Sequence, residues 1–135
     1  MSPKIVICGN YGVTNLGDEA ILDGILMLVR RVWPEKPVTV LSVRPQETIA
    51  LHGDENLRSE ALLPAGFRSL VRGIFSGSIW RTLDVIRNCD LFILGGGGLF
   101  TDERMMAIVI WSLQARFALL FGKPLFCFGQ SVGPL

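Results

Sequence analysis

Asp18 is the one carboxylate in the glycine-rich, otherwise neutral stretch Gly9-Asn10-Tyr11-Gly12-Val13-Thr14-Asn15-Leu16-Gly17-Asp18. A carboxylate at such a place can take a proton from a hydroxyl substrate. It can equally cap the helix that follows and complement its dipole. Both readings stand on sequence alone, whereas the next residue, Glu19, reads as first-turn dipole complementation. Asn10, Thr14 and Asn15 add neutral hydrogen-bonding groups, and Gly12 and Gly17 leave the backbone open to close approach. A second stretch runs Gly95-Gly96-Gly97-Gly98-Leu99-Phe100-Thr101-Asp102. Four consecutive glycines offer bare amides to a phosphate, carboxylate or sugar oxygen; a tight turn alone would need fewer. Asp102 and Glu103 read first as caps of the next helix, with a ligand-facing Asp102 as the alternative. A third stretch, Gly129-Gln130-Ser131-Val132-Gly133-Pro134, places Gln130 beside further glycines. None of the three contains Arg, Lys or His.

Each stretch follows an apolar run: Lys4 to Cys8, Asp90 to Leu94, and Pro124 to Phe128. Runs of that kind bounded by glycine read as buried parallel strands. Loops leaving parallel strands open on one edge of a sheet, where open α/β sheets bind ligands. Ile21, Leu22, Ile25, Leu26, Leu28, Val29, Val32 and Trp33 have helical spacing from about Asp18, and Pro34 and Pro37 end that helix. Val38 to Val43 is a β-branched second strand, followed by a short connection and a weak third strand within Arg58 to Leu63. Phe67, Leu70, Val71, Ile74 and Phe75 again have helical spacing, and Gly73, Gly77 and nearby serines suggest a break before a helix from about Ile79 to Asn88. The alternation implies an α/β, Rossmann-like open parallel sheet with helices on both faces. The first strand is expected at the centre, the second and third on one side, the fourth and fifth on the other. The crevice then opens between the loops after Gly9 and Gly95.

The chain has 135 residues, half of them hydrophobic and 19% charged, which fits one domain over 1–135 with a real core and argues against disorder. A domain of this kind normally continues into another helix, so 1–135 is expected to be the front part of a longer, two-domain protein. A formal net charge of +1 gives no global field toward nucleic acid. Cys8, Cys89 and Cys127 lack metal-ligand spacing and read as buried free thiols of a reducing cytoplasm; no metal and no cofactor are expected. No signal-peptide pattern opens the chain. Met105 to Phe121 is broken by Gln114 and Arg116 and reads as a mostly buried core helix rather than a membrane span. Arg68, Arg72, Arg81 and Arg87 read as a solvated helix face, with a membrane-surface or acidic-glycan contact as the alternative. His52 falls in a polar connection and is expected to be exposed. The glycine spacing is not G-x-G-x-x-G, the second strand ends in Ser42-Val43-Arg44 rather than an acid, and there is no G-K-[ST].

Asn10-Tyr11-Gly12 with Asn15-Leu16-Gly17-Asp18-Glu19-Ala20-Ile21-Leu22 resembles the opening motif of the polysaccharide pyruvyl transferase family. Asp90 to Asp102 resembles its second motif, a strand entering a glycine cluster and then an acidic position. Phe128 to Pro134 resembles its third, usually G-Q-G-I-G-P, with Ser131 in place of the middle glycine. The resemblance implies the N-terminal half of a GT-B-like architecture. The activity it implies is transfer of a pyruvyl group from phosphoenolpyruvate to hydroxyls of a cell-surface glycan or lipid-linked sugar, forming a ketal. It also implies that the donor's basic ligands lie mainly in a C-terminal domain. Asn10, Gly12, Asn15, Gly17, Gly95, Gly96, Gly97, Gly98, Asp102 and Gln130 are then the expected substrate contacts, with Asp18 as catalytic base. The expected location is cytoplasmic, at most peripheral to the inner membrane face. The isolated chain is expected to be inactive and prone to self-association. The rivals are a nucleotide-sugar glycosyltransferase of the same plan and a non-catalytic Rossmann-like binding module.

Overall fold

The structure, a computed structural model, describes residues 4–9, 16–34, 36–52, 56–64, 67–95, 97–100, 105–127 and 130–132. Five strands form one parallel sheet: β1 (Ile5–Cys8), β2 (Val38–Ser42), β3 (Leu57–Ala61), β4 (Leu91–Leu94) and β6 (Leu125–Cys127). Their order across the sheet is β3-β2-β1-β4-β6. The expected sheet, with its first strand central, is thus the one observed. A separate parallel pair joins β5 (Gly97–Phe100) to β7 (Gln130–Val132).

Strand residues alternate between two cores, as the pleat requires. Ile5, Ile7, Val38, Val40 and Ile93 pack with Leu22, Ile25, Leu26 and Val29 of α1 (Leu16–Val32). Val6, Cys8, Leu41, Phe92 and Leu94 face the other way. There they meet Ile79 and Ile86 of α4 (Ser78–Asn88) and Trp111 and Ala118 of α5 (Met105–Leu120). Burial on both faces explains why β1 and β4 are apolar at every position rather than at every second one.

Four expectations need correction. The connection after β2 contains a helix, α2 (Pro45–His52). Its sequence has no apolar stripe, but Pro45 at the start and Glu47 in the first turn are helix-opening residues. The Leu125–Cys127 strand is a sheet edge, so Phe126 and Cys127 are exposed and only Cys8 and Cys89 are buried thiols. Burial pushes both of those thiols up from their usual range. The helix expected over 105–121 is only partly buried among its described side chains, 110–121. Trp111, Gln114 and Ala118, on one face, are covered, while Leu119 and Leu120 are exposed. Finally, Gly97 and Gly98 lie in a strand rather than a bare loop.

The break near Gly77 is where the sequence suggests it. Helix α3 (Phe67–Ser76) stops, Gly77 adopts φ +83°, and α4 begins at Ser78. The left-handed conformation at that corner is the reason for glycine there.

Candidate functional site

The site edge is built by register. Cys8 lies opposite Leu94, so β1 and β4 end side by side. The Gly95 amide donates to the Cys8 carbonyl at 2.6 Å, extending the pairing one step past the strands. With β2 and β3 on one side of β1 and β4 and β6 on the other, this is the topological switch point, where a crevice opens at the carboxyl ends. Gly95 itself is buried. Two residues on, β5 pairs with β7, Gly97 opposite Gln130 and Phe100 opposite Val132, with a register irregularity between them. The second and third glycine-rich stretches are therefore bound to each other by backbone. That pairing commits part of the backbone polar groups of 97–100 to a ladder, leaving fewer for a ligand than a bare loop would offer. Strand β5 also lies against α1 and α5.

Among the nominated residues, Gly95, Gly97, Gly98 and Gln130 come together at this edge. Gly17 and Asp18 are in the first turn of α1, which begins at Leu16. Asp18 is the third residue of the helix, a first-turn position where a carboxylate complements the dipole. Asn10, Gly12, Asn15, Gly96 and Asp102 lie outside the described residues.

Next to Asp18 the structure reveals a side-chain cluster that the sequence reading missed. His52, expected to be exposed, is only 4% exposed at its side chain. Its Nε2 lies 2.5 Å from a Glu19 carboxylate oxygen, and its Nδ1 lies 2.6 Å from one of Asp23. Glu19 and Asp23 are one helical turn apart on α1, and His52 ends α2. Each ring nitrogen thus faces one carboxylate. Like charges at i and i+4 repel, and the imidazole between them converts that conflict into a link between α1 and α2. The carboxylates address opposite ring nitrogens, so they cannot converge on one ion. Among the described residues no group of His, Cys, Asp and Glu is arranged to hold a metal.

The other end of α2 borders an open cavity of about 560 Å³ on the same sheet edge, beyond β2 and β3. Arg44, Glu47, Ile49, Ser59, Glu60 and Arg81 line it. Arg44 pairs with Glu47 at 3.4 Å and Arg81 with Glu60 at 3.5 Å. Its frame is set by buried polar bonds. The Thr48 hydroxyl donates to Ser42 Oγ at 2.9 Å, fixing α2 to β2. The Thr82 hydroxyl donates to the Ala61 carbonyl at 2.6 Å, fixing α4 to the end of β3. Gln114 accepts from the Leu63 amide and donates to the Leu63 carbonyl, at 2.9 and 2.8 Å, tying α5 to the segment after β3. Buried polar groups paired this completely hold a backbone path in one arrangement.

Among the described residues no helix is long and apolar enough to cross a membrane. The family model for polysaccharide pyruvyl transferase matches residues 15–135. No curated protein and no solved structure matches the chain.

Proposed function

The chain belongs to the polysaccharide pyruvyl transferase family, and on that premise we propose that it supplies the acceptor-sugar wall of a site that moves a pyruvyl group from phosphoenolpyruvate onto sugar hydroxyls. The family is one of transferases. The observation that carries this reading is the adjacent ending of β1 and β4, with the Gly95 amide on the Cys8 carbonyl and the third stretch drawn in through β5 and β7. The three stretches, none of which carries a cationic side chain, follow strands of this one parallel sheet. Neutral donors and acceptors of that kind recognise hydroxyls, whereas a trianionic donor calls for Arg, Lys or His held elsewhere.

The chemistry sets what the acceptor wall must do. Two acceptor hydroxyl oxygens bond to C2 of phosphoenolpyruvate, and the C2–O bond to phosphate breaks. Of the two hydroxyl protons, one ends on C3, turning the methylene into a methyl, and the other leaves with phosphate. The product is a ketal. A base near the hydroxyls is therefore useful, and Asp18, in the first turn of α1 as it leaves the first stretch, is our candidate. Asn10, Gly12, Asn15, Gly17, Gly95, Gly96, Gly97, Gly98, Asp102 and Gln130 are the proposed substrate contacts, the acceptor is a glycan destined for the cell surface, and the location is cytoplasmic.

The test is Asp18→Asn in the active enzyme with phosphoenolpyruvate and acceptor. Loss of a general base costs on the order of 100-fold in turnover, with the thermal melt nearly unchanged. Equal turnover would leave Asp18 a dipole-complementing residue only. Activity with a nucleotide sugar and none with phosphoenolpyruvate would replace the donor assignment.

A further inference from the structure

Helix α3 is turned inside out. Phe67, Leu70, Val71, Ile74 and Phe75 recur at the i, i+3, i+4, i+7, i+8 spacing of a core-facing stripe. Phe67 and Phe75 are 79% and 87% exposed, and Leu70, Val71 and Ile74 between them are 37–42% exposed. The residue that α3 buries is Gly73, on the opposite side. A Cβ added there would come within 2.6 Å of Ile79 Cγ1, so α3 rests on α4 by bare backbone and presents its apolar stripe outward. Trp80, near the start of α4, is also 58% exposed. An exposed apolar stripe of this kind marks a contact site.

The charges beside the stripe select the partner. Arg68 and Arg72 sit one turn apart at one border of the stripe, both exposed. Between Glu60, which pairs with Arg81, and Asp84, the chain carries Arg68, Arg72 and Arg81 and no further acidic residue. Phe, Leu, Ile and Trp at the acyl boundary with arginine at the phosphate level is the pattern of a helix lying in a membrane interface. We propose that α3, with Trp80, is a docking element for an anionic lipid surface. An apolar patch meant for a second copy of this chain would bring two copies of Arg68 and Arg72 into one contact, an unfavourable arrangement that lipid phosphates avoid. The proposal does not depend on the transferase reading, since its test measures no activity.

The test is co-sedimentation with vesicles of phosphatidylcholine, with and without phosphatidylglycerol, together with tryptophan emission. Expected are binding to the anionic vesicles, weaker binding to the zwitterionic ones, and a blue shift on binding that Trp80→Phe removes. Phe67→Ser with Phe75→Ser should weaken binding by roughly tenfold or more. Arg68→Ala and Arg72→Ala should each weaken it by about fivefold, an effect that added salt mimics. These positions are exposed, so unchanged thermal melts confirm that the variants are folded. Absence of vesicle binding at low salt overturns the proposal. So does equal binding to both vesicle types, or binding that ignores all four substitutions. A dimer in light scattering that Phe75→Ser disperses, with no vesicle binding, assigns the stripe to a contact between copies instead.

Discussion

Helices α1 and α3 carry the same kind of apolar periodicity and use it in opposite ways. In α1, Leu22, Ile25, Leu26 and Val29 are buried against the alternate residues of β1 and β2. In α3, the equally regular stripe is open to solvent and Gly73 makes the internal contact. Periodicity fixes that a segment is helical and which residues share a face. It does not fix where that face points. That depends on what the rest of the chain offers to cover it, and here the sheet face near α3 is already covered by α4 and α5.

The comparison breaks most sharply at α1. Leu22→Ala or Ile25→Ala removes side-chain atoms that are at most 2% exposed, in the core cluster shared with β1 and β2. Each should cost about 2–5 kcal/mol of unfolding free energy, the range for cavity-forming truncations. Urea unfolding followed by circular dichroism would measure it. A loss below about 1 kcal/mol would mean that the α1 face of the sheet is loosely packed.

What the sequence could convey follows from the range over which each signal acts. The central strands were legible because burial on both faces makes them apolar throughout and the breaks after them are glycine-rich: Ile5 to Cys8 and Leu91 to Leu94 stand out in any reading. The switch point followed, since strand order constrains it. Helix α2 was not legible from periodicity, because Pro-Gln-Glu-Thr-Ile-Ala-Leu-His carries no apolar stripe and is held by Thr48 on Ser42 and by His52 on α1. Those partners come from outside the segment, 29 and 33 residues away for His52. The exposure of Cys127 was missed for a related reason: an apolar strand at a sheet edge reads like one at the centre. At the site, the side-by-side ending of β1 and β4 was legible from topology. The β5–β7 pairing was not, because Gly-Gly-Leu-Phe and Gln-Ser-Val are too short to announce a strand each.

A second point of comparison is how each helix is anchored to its neighbour. His52→Ala takes a partner from the Glu19 carboxylate, which is buried, and cuts the α1–α2 link. The expected cost is about 1–3 kcal/mol. Because α2 also lines the cavity beyond β2, the same variant should raise amide exchange within 45–52 while leaving α4 and α5 protected. An unchanged stability would place the weight of the α1–α2 link on apolar packing. Gly73→Ala should cost less, about 1 kcal/mol. Alanine gains about 1 kcal/mol of helix propensity over glycine, but its Cβ meets Ile79 Cγ1 and Cδ1 at 2.6 and 2.7 Å, and overpacking outweighs the gain. Ile79→Ala in the same chain should reverse the sign of the Gly73→Ala effect, which a double-mutant cycle would read as coupling. Additive behaviour would show that α3 and α4 do not meet through this pair.

The smallest effect is expected where the stripe of α3 is most exposed. Phe75 and Phe67 touch water over most of their surface, so replacing either with Ser removes little that folding has buried. Serine is a poorer helix former than leucine or alanine but close to phenylalanine on the propensity scale, so that contribution is also near zero. The net change in unfolding free energy should fall within about 0.5 kcal/mol, as for ordinary surface positions. The contrast with Leu22 and Ile25, the same class of side chain at the same helical spacing, is the sharpest form of the comparison. If Phe75→Ser instead cost 2 kcal/mol or more in dilute buffer, on the scale of burying a large apolar side chain, the stripe would be covered within the folded protein, and its outward face would not be a docking surface at all. If the cost is small in buffer and the loss appears only in vesicle binding, α3 is a helix whose apolar face serves a partner rather than the fold.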